Sequence, residues 1–457
     1  MRKPADALAM ALLALVLLGG LVSKGYAAPD ALRAWAFAAC AMAAGVLLLT
    51  PMRRGVPPHA WIVSSFLLIP LVVGGLFAIP LPTGLVTTLM PYWSEWAETR
   101  LAVGLDVPSR VPLGLAPSTA WATWNHWMAS ACIAVACLML ARRDGGRTVL
   151  LWAVVAVGLL EGWAGVAISA QGEKRAFGLI FNPNHHAALV LLVLPVAVAL
   201  LCNRASSQSR EAGSDAGRQD VTWFMGGVVA VAALGWLLSL SRGSVAAGML
   251  VFCAWGTWEL AVLSAAGVSP TLKRLMPVAL AVAGLGGVVL WFAGAPAELI
   301  RRLDPGADGF GRLDLWLATL QGFVDNRFMG IGLGGAEFAL ECNLTEVATR
   351  KAPVWAHNDY VQFVAELGVL GLALLGAWVF AAGRALAATP LATGEWWKSR
   401  RGMVDRAIIA GCASILIHSI VDFPLRIPLI GFCFIALIAV LLMRLTPRGS
   451  ATVAQVT

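Results

Sequence analysis

Arginine, lysine and histidine side chains recur in short polar clusters that separate long apolar stretches of this sequence. The clusters occupy residues 174–186, 239–244, 301–316, 355–360 and 418–426. A guanidinium group binds phosphate oxygens through paired, charge-assisted hydrogen bonds. A histidine held by a carboxylate can act as a general base. Together the clusters indicate metal-free capture of a pyrophosphate with a histidine nearby.

The first cluster contains five candidate binding residues, which are Lys174, Arg175, Asn182, Asn184 and His185. Pro183 disfavours helix at the residue before it, so we expect Asn184 to cap the helix that follows. The free N–H groups of a helix N-terminus next to a Lys-Arg pair favour an anion. Two interpretations stay open here: an anion site, or a capped helix with two interfacial basic residues.

Two further arginines lie next to small residues. Arg242 is in the turn Ser239–Ser244, where it either reaches lipid headgroups or binds a ligand. Arg312 follows Arg301 and Arg302 and precedes the glycine string 330–335, which fits G-x-G-x-x-G. No strand–turn–helix pattern surrounds that string, so we expect a tight turn or a close backbone approach rather than a dinucleotide site.

The last two clusters combine histidine with carboxylates. In residues 355–360, Asp359 is a neighbouring carboxylate that could fix one tautomer of His357, whereas Asn358 or Asp359 could equally cap a helix. In residues 418–426 we expect Asp422 and Arg426 to pair with each other at the surface. No Asp-x-Asp or similar cluster is present for a divalent metal, so neither a metal nor another cofactor is predicted.

Long apolar helices must position these clusters. Of the 457 residues, 59% are hydrophobic and only 13% are charged, against about 25% charged in a soluble domain. The apolar stretches have the length that crosses a bilayer. They lie near 6–23, 31–50, 60–79, 124–141, 148–168, 185–202, 222–240, 244–263, 275–294, 361–383, 405–421 and 427–444. The sequence therefore predicts an all-α polytopic membrane protein with about twelve transmembrane helices.

The basic residues predict the orientation. Fourteen of the 33 Lys and Arg residues lie in alternate connections, and the termini and adjoining span ends bring the total to 19. This positive-inside bias places both termini in the cytoplasm. This topology accounts for most of the net charge of +8, so no nucleic-acid partner is predicted. The polar clusters then lie on the outer side.

The same topology divides the chain into three parts. Residues 1–170 form N-terminal helices with a Trp- and Pro-rich outer loop at 80–123. Residues 171–445 form a catalytic membrane domain that includes a long, partly helical outer loop at 295–360, and residues 446–457 form a cytoplasmic tail. Loops of this length are usually functional or disordered.

Four of these motifs resemble the O-antigen ligase and O-antigen polymerase superfamily of bacterial envelope glycosyltransferases. The matching stretches are Phe177-Gly178 with Asn182-Pro183-Asn184, then Ser241-Arg242-Gly243, then Arg312 and Trp316 before the glycine string, and His357-Asn358 followed by Glu366-Leu-Gly368 and Gly371. They occur in the family's order and cover about residues 175 to 445. The resemblance implies a multi-pass protein of the bacterial inner membrane with a periplasmic active site.

The resemblance also implies roles for particular residues. His357 would act as the base that activates the acceptor hydroxyl. Arg242 and Arg312 would bind the pyrophosphate of an undecaprenyl-linked glycan donor, and Arg175 would be a third phosphate contact. The reaction would be a metal-free single displacement with inversion. Asp359 is not a required partner of the histidine in the family, so its role is open.

Several functions share this chemistry. Ligation of the glycan onto lipid A–core is the first choice, and polymerisation with a second lipid-linked glycan as acceptor is close behind. Transfer to a protein hydroxyl is a third variant. A lipid or glycan transporter is the alternative of another class, but it would favour charges near the bilayer midplane and inverted repeats.

Overall fold

The computed structural model describes residues 72–77, 79–143, 145–208, 216–265, 312–326, 329–344, 354–387 and 402–445. The predicted spans at 6–23, 31–50 and 275–294 lie outside the described residues, as do most of the span at 60–79, Arg301, Arg302 and the tail at 446–457. Among the described residues, those at 72–77 are helical.

Helices dominate the described part of the chain. Two short strands and twelve labelled α-helices follow one another in this order: β1 (Pro80–Pro82), α1 (Thr83–Leu89), α2 (Pro91–Ala102), β2 (Arg110–Pro112), α3 (Pro117–Ala141), α4 (Gly146–Ser169), α5 (Pro183–Gln208), α6 (Ala216–Leu238), α7 (Arg242–Ala265), α8 (Arg312–Asp325), α9 (Ala336–Asn343), α10 (Asp359–Ala387), α11 (Met403–His418) and α12 (Pro428–Leu445). A 3₁₀ turn, Pro424–Arg426, precedes α12.

Six of these helices are long and apolar enough to cross a membrane. The spans are Thr119–Ala141, Gly146–Ser169, Pro183–Arg204, Asp220–Leu238, Arg242–Val262 and Asp359–Phe380. A shorter apolar helix covers Pro428–Arg444. The prediction of a multi-pass helical membrane protein is therefore confirmed, whereas the total of about twelve spans stays a prediction.

The main core lies between seven helices, which are α3, α4, α5, α6, α7, α11 and α12. α5 packs against α4, α6 and α11, while α12 packs against α3 and α4. Their facing side chains form one continuous apolar cluster that includes Ile133, Leu150, Leu189, Ile408 and Phe432. This core crosses the predicted division at residue 170, because α3 and α4 pack on helices that follow it; the three-part division of the chain stays a prediction.

A second, smaller core forms where the Trp- and Pro-rich segment meets the start of α10. It includes Trp93, Val111, Ile331 and Phe363. Here β1 and β2 pair antiparallel with Leu81 opposite Val111, so the all-α prediction missed one small sheet. The strands are three residues each, too short to give a period-2 signal in the sequence.

The predicted span at 361–383 is not one continuous helix. Gly368 has φ 67° and ψ −151°, which breaks α10 near its start. The carbonyl groups of Ala365 and Glu366, freed by the break, accept hydrogen bonds from Ile331 (2.9 Å) and Gly332 (3.0 Å). Another part of the chain thus satisfies the backbone, as a break inside a membrane helix requires.

The helices define two ends of the bundle. We name one end of the bundle the site end. There α4, α6 and α11 end, and α5, α7, α10 and α12 begin. The other end, named the opposite end, carries a group of basic residues: Arg142, Arg143, Arg147, Arg204, Arg406 and Arg444. The described residues of the polar clusters predicted from the sequence lie at the site end.

Candidate active site

His357 lies just before α10, and its partner is a carboxylate from a different part of the chain. Its Nδ1 is 3.1 Å from Oδ1 of Asp422, in the turn after α11. The His357 side chain is 34% exposed, whereas that of Asp422 is 1% exposed. When Nδ1–H donates to Asp422, the Nε2 lone pair of His357 is left to accept a proton.

The surroundings of Asp422 keep it ionised. Burial alone would raise its pKa, but the hydrogen bond from His357 and the positive potential of His418, His357 and His185 outweigh burial, so the pKa of Asp422 lies below its usual value. The backbone N–H of Phe423 also donates to Oδ1 at 3.0 Å. An ionised carboxylate here favours the His357 tautomer with hydrogen on Nδ1.

Phe423 is the apolar support of this site. The His357 ring meets it edge to face at 4.9 Å between centroids, and His185 does the same at 5.0 Å. Trp355 stacks on it at 5.1 Å. His185, one of the predicted binding residues, is thus buried beside His357, and its position in the first turn of α5 brings that helix to the site.

The expected pairing of Asp422 with Arg426 is wrong. Arg426 instead bridges two carboxylates of α10, with Nε 3.5 Å from Oδ1 of Asp359 and Nη2 3.1 Å from Oε2 of Glu366. Asp359 also accepts hydrogen bonds from Ser419 and from the backbone of Leu425. The carboxylate beside His357 in sequence therefore holds the α11–α12 connection, and a carboxylate 65 residues away contacts the imidazole.

Asn358 serves as the cap of α10. Its Oδ1 accepts hydrogen bonds from the backbone N–H groups of Tyr360 and Val361, both at 3.0 Å. This is the capping interpretation of the cluster. The cap fixes the direction in which the chain enters α10 directly after His357, so Asn358 orients the histidine from the backbone.

The two predicted catalytic arginines come from separate helices. Arg242 is the first residue of α7, and the next residue, Gly243, lies against His418: a methyl group added there would be 3.1 Å from Cδ2 of the ring. Arg312 begins α8, and its charge acts electrostatically on His418. His418 in turn has Nε2 3.9 Å from Oδ2 of Asp422. The end of α11 therefore joins the arginine-bearing elements to the His357–Asp422 pair.

The loop before α5 brings the remaining predicted residues to the same end. Asn182, rather than Asn184, caps α5, because its Oδ1 accepts from the N–H of Asn184 (2.9 Å) and of His185 (3.3 Å). The prediction that Asn184 caps the helix is wrong because Pro183 fits the first helical position, where no N–H is needed. Lys174 is exposed.

Arg175 is fastened within the protein. Its Nε donates to the backbone oxygen of Ser239 at 2.8 Å, and Nη2 donates to Oδ1 of Asn184 at 3.2 Å. The guanidinium group thereby ties the loop before α5 to the turn that leads to Arg242. Its position next to that turn is compatible with a phosphate contact, and its two hydrogen bonds also hold the loop in place.

The glycine string acts through its backbone. Gly330, Gly332 and Gly334 all have positive φ, at 94°, 83° and 72°. A side chain on Gly330 would collide with the backbone at the break in α10, and one on Gly332 would collide with Gly114. The expectation of a close backbone approach is confirmed, since the string threads between α10 and the segment before α3.

Backbone strain is concentrated at the predicted motifs. Among the described residues, the non-glycine residues with positive φ are Phe181 (61°), Leu240 (50°) and His357 (51°). Each lies in one of the clusters recognised in the sequence. Such conformations cost about 1–3 kcal/mol each and persist where the surroundings impose them, as at functional sites.

A comparison with protein families identifies the part of the chain that carries these motifs. Residues 227–376 match the family described as O-Antigen ligase. About a third of the chain is therefore similar to the O-antigen ligase family. The resemblance to the O-antigen ligase and polymerase superfamily is thus confirmed. A comparison with curated proteins found no match to the chain.

The O-antigen ligase match covers only part of the site. It runs from α6 into α10 and includes Arg242, Arg312 and His357. Asp422 and the cluster at 174–186 lie outside the matched residues, yet the fold brings both to the same end of the bundle. The candidate site is therefore assembled from the matched residues and from helices on either side of them.

Sequence reasoning missed several residues of this arrangement. From the sequence, Asp422 is predicted only to pair with Arg426, and no role is predicted for His418, Glu161 or His186. The available signal for Glu161 was a lone carboxylate in the outer half of an apolar stretch, which is costly in a membrane and often functional. For the contact between Asp422 and His357 no local signal existed, because the two residues are 65 positions apart.

Proposed function

We propose that this protein is an O-antigen ligase that transfers a glycan from an undecaprenyl-pyrophosphate carrier to a hydroxyl of lipid A–core. The reaction takes place at the periplasmic face of the bacterial inner membrane, where membrane lipids surround the protein. The proposal rests on one observation: the His357–Asp422 pair lies at the bundle end where Arg242 begins α7, Arg175 bonds to the turn before it, and the charge of Arg312 acts on His418. His357, Arg242 and Arg312 all lie in the residues that match the O-antigen ligase family. The basic residues at the opposite end support the orientation.

The transfer step follows from the orientation of the imidazole. Nε2 of His357 takes the proton of the acceptor hydroxyl as its oxygen forms a bond to the anomeric carbon of the donor glycan. The bond from that carbon to the phosphate oxygen breaks on the opposite face, which inverts the configuration. The carrier pyrophosphate leaves with the electron pair, and Arg242 and Arg312 stabilise its developing charge. Asp422 stabilises the imidazolium that forms on His357.

The remaining predicted binding residues have supporting roles in this proposal. Lys174 and Arg175 attract the carrier phosphates, and Asn182, Asn184 and His185 shape the start of α5 next to His357. Asn358 and Asp359 hold the entry to α10. No metal is needed in this scheme, because the arginines supply the positive charge that a cation would otherwise provide.

The decisive experiment is a transfer assay with the purified full-length protein in lipid. The donor is a lipid-linked glycan, and the acceptors are offered separately: lipid A–core, a second lipid-linked glycan and a protein. Wild type is compared with His357→Ala, Arg312→Ala and the control Ser414→Ala, which removes a buried hydroxyl whose bond stays within α11. Each preparation is measured with and without EDTA.

We expect transfer to lipid A–core by wild type and by Ser414→Ala, unaffected by EDTA, and a loss of at least about 100-fold in the other two variants. Transfer only to a second lipid-linked glycan would replace ligase with polymerase. Normal transfer by His357→Ala would refute the proposed site. Movement of the donor between leaflets without any transfer would identify a transporter.

A further inference from the structure

A second histidine–carboxylate pair lies inside the bundle, apart from His357. Glu161 of α4 and His186 of α5 are both fully buried. Oε1 of Glu161 is 3.1 Å from Nδ1 of His186, and Nε2 of His186 is 3.2 Å from the backbone oxygen of Gly235 in α6. The transfer step proposed above does not use these groups, although a buried carboxylate within a membrane helix is costly.

The hydrogen-bond partners determine the charge of this pair. The Gly235 oxygen can only accept, so Nε2 of His186 must carry a hydrogen. Nδ1 then either donates to a Glu161 carboxylate or accepts from a Glu161 carboxyl group. Both arrangements give the pair a net charge of zero, which explains how it is accommodated in the interior.

Glu161 also holds the loop that precedes α5. Its two oxygens accept hydrogen bonds from the backbone N–H groups of Leu179 (3.0 Å) and Ile180 (3.2 Å). Gly178, at φ 55°, lies so close to the carboxylate that any side chain there would collide with Glu161 and His186. The loop therefore folds against the carboxylate rather than lying on the bundle surface.

The same loop is joined to the turn between α6 and α7. The N–H of Ala176 donates to the oxygen of Leu238 at 3.0 Å, and Arg175 donates to the oxygen of Ser239. Arg242 follows three residues after Ser239. Hydrogen bonds thus lead from Glu161 through the loop to the turn that ends at Arg242.

Close helix packing surrounds the pair. A side chain on Gly162 or on Gly235 would collide with the facing helix, and one on Gly165 would collide with the His186 ring. Small residues that let helix backbones approach are the usual means of packing in membranes. Here they bring α4 and α6 close enough for His186 to bridge them.

We propose that Glu161 is a positioning residue for donor binding: through the backbone of Leu179 and Ile180 it holds Arg175 and the Arg242 turn where the carrier pyrophosphate binds. This inference rests on the proposed function. Glu161 does not touch the reacting atoms, so it governs the affinity for the donor and leaves the activation of the acceptor by His357 unchanged.

Three substitutions of Glu161 separate positioning from folding. Glu161→Asp keeps a carboxyl group but shortens the side chain by one methylene, so it cannot keep all its hydrogen bonds. Glu161→Ala removes them all. Glu161→Gln keeps the length of the side chain and can offer its N–H to Nδ1 of His186. It then keeps an oxygen for Leu179 but loses the acceptor for Ile180, because Oε1 of Glu161 serves both His186 and Ile180. The control is Leu160→Ala, at a neighbouring position of α4 whose side chain is 53% exposed.

The transfer assay measures kcat and the KM values for donor and acceptor. A second experiment measures hydrogen–deuterium exchange of residues 175–184 and 238–242. We expect Glu161→Asp and Glu161→Ala to raise the donor KM on the order of tenfold, with the acceptor KM unchanged and faster exchange in both segments. Leu160→Ala should resemble wild type, and Glu161→Gln, which keeps the bond to Leu179, should raise the donor KM less than Glu161→Ala does. In an Arg175→Ala background, the effect of Glu161→Asp on the donor KM should shrink.

An unchanged donor KM and unchanged hydrogen–deuterium exchange in Glu161→Asp would overturn the proposal. A failure of both Glu161→Asp and Glu161→Ala to fold would also overturn it, because the Glu161–His186 pair would then serve folding alone. An equal rise of donor and acceptor KM would also contradict it. Hydrogen–deuterium exchange of the two segments can be measured whether or not the protein transfers glycan. If wild type transfers glycan to no acceptor but the two segments still loosen in Glu161→Asp, the proposed function fails and the positioning of the loop stands.

Discussion

At the scale of single residues, the candidate site depends on how His357 is held. Its positive φ turns the chain just before the capped start of α10, and Asp422 fixes Nδ1 from the other side. A carboxylate on Nδ1 is the arrangement that gives a histidine a defined basic nitrogen. The strained backbone is therefore imposed by two separate contacts, the cap at Asn358 and the bond to Asp422.

Asp422→Asn should lower kcat of glycan transfer by about 100-fold or more with little change in either KM. The amide can donate to Nδ1 and so favours the tautomer with hydrogen on Nε2, which cannot accept the acceptor proton. Steady-state kinetics against both substrates test this, with Ser414→Ala as the control. A kcat within about twofold of wild type would show that the tautomer of His357 does not matter.

Asp422 should also contribute to stability in a pH-dependent way. Its pKa in the folded protein is below the unfolded value, so the ionised carboxylate stabilises the fold above about pH 4 and this contribution is lost as the pH falls further. The difference in thermal midpoint between wild type and Asp422→Asn should be constant from pH 7 to about pH 5 and shrink below about pH 4. A difference that grows on acidification would contradict the lowered pKa.

At the scale of elements, the break in α10 determines how the glycine string docks. Gly368 frees the carbonyls of Ala365 and Glu366, and the string supplies the donors. The backbone angles of Gly368 belong to a region that residues with a side chain essentially do not occupy. The break and the string are therefore mutually dependent.

Gly368→Ala should destabilise the protein by about 1–3 kcal/mol, because the alanine side chain is incompatible with these angles. Gly376→Ala, on the same helix with open space around it, is the matched control and should be neutral or slightly stabilising. Thermal unfolding in detergent compares the two. Equal midpoints for both variants would show that the chain at residue 368 relaxes without cost.

At the scale of the whole molecule, the two ends of the bundle have different chemistry. The site end brings histidine, carboxylate and arginine groups together, whereas the opposite end is held by ion pairs between helices. There Arg406 of α11 makes two hydrogen bonds to Glu259 of α7, at 2.6 and 2.8 Å, and both side chains are buried. Arg444 of α12 pairs with Asp405 of α11.

Arg406→Met should lower the free energy of unfolding by about 3–5 kcal/mol, because it leaves the buried Glu259 carboxylate without its partner. The double variant Glu259→Leu with Arg406→Met should recover much of this loss. Denaturation of both variants and of wild type tests the pair. Folded protein of each variant should transfer glycan with unchanged KM values, since the pair lies at the opposite end; a raised donor KM would link the two ends.

The sequence by itself determined the membrane class, the family and most of the site's residue types. Apolar length and loop charge predict spanning helices, because lipid permits few other structures. The motifs around Arg242, Arg312 and His357 lie in short contiguous stretches that a linear pattern can reveal. The glycine string was interpreted correctly as a backbone feature, because no strand–turn–helix pattern surrounded it.

Only the tertiary structure decided which charged groups meet. Asp422 contacts His357, Arg426 contacts Asp359 and Glu366, and Glu161 contacts His186, although each pair is separated by at least 25 residues in sequence. Sequence proximity favoured other pairings, such as Asp422 with Arg426. The physical reason is that buried charges must find partners across helices, and helix packing, not sequence spacing, sets which ones lie within hydrogen-bonding distance.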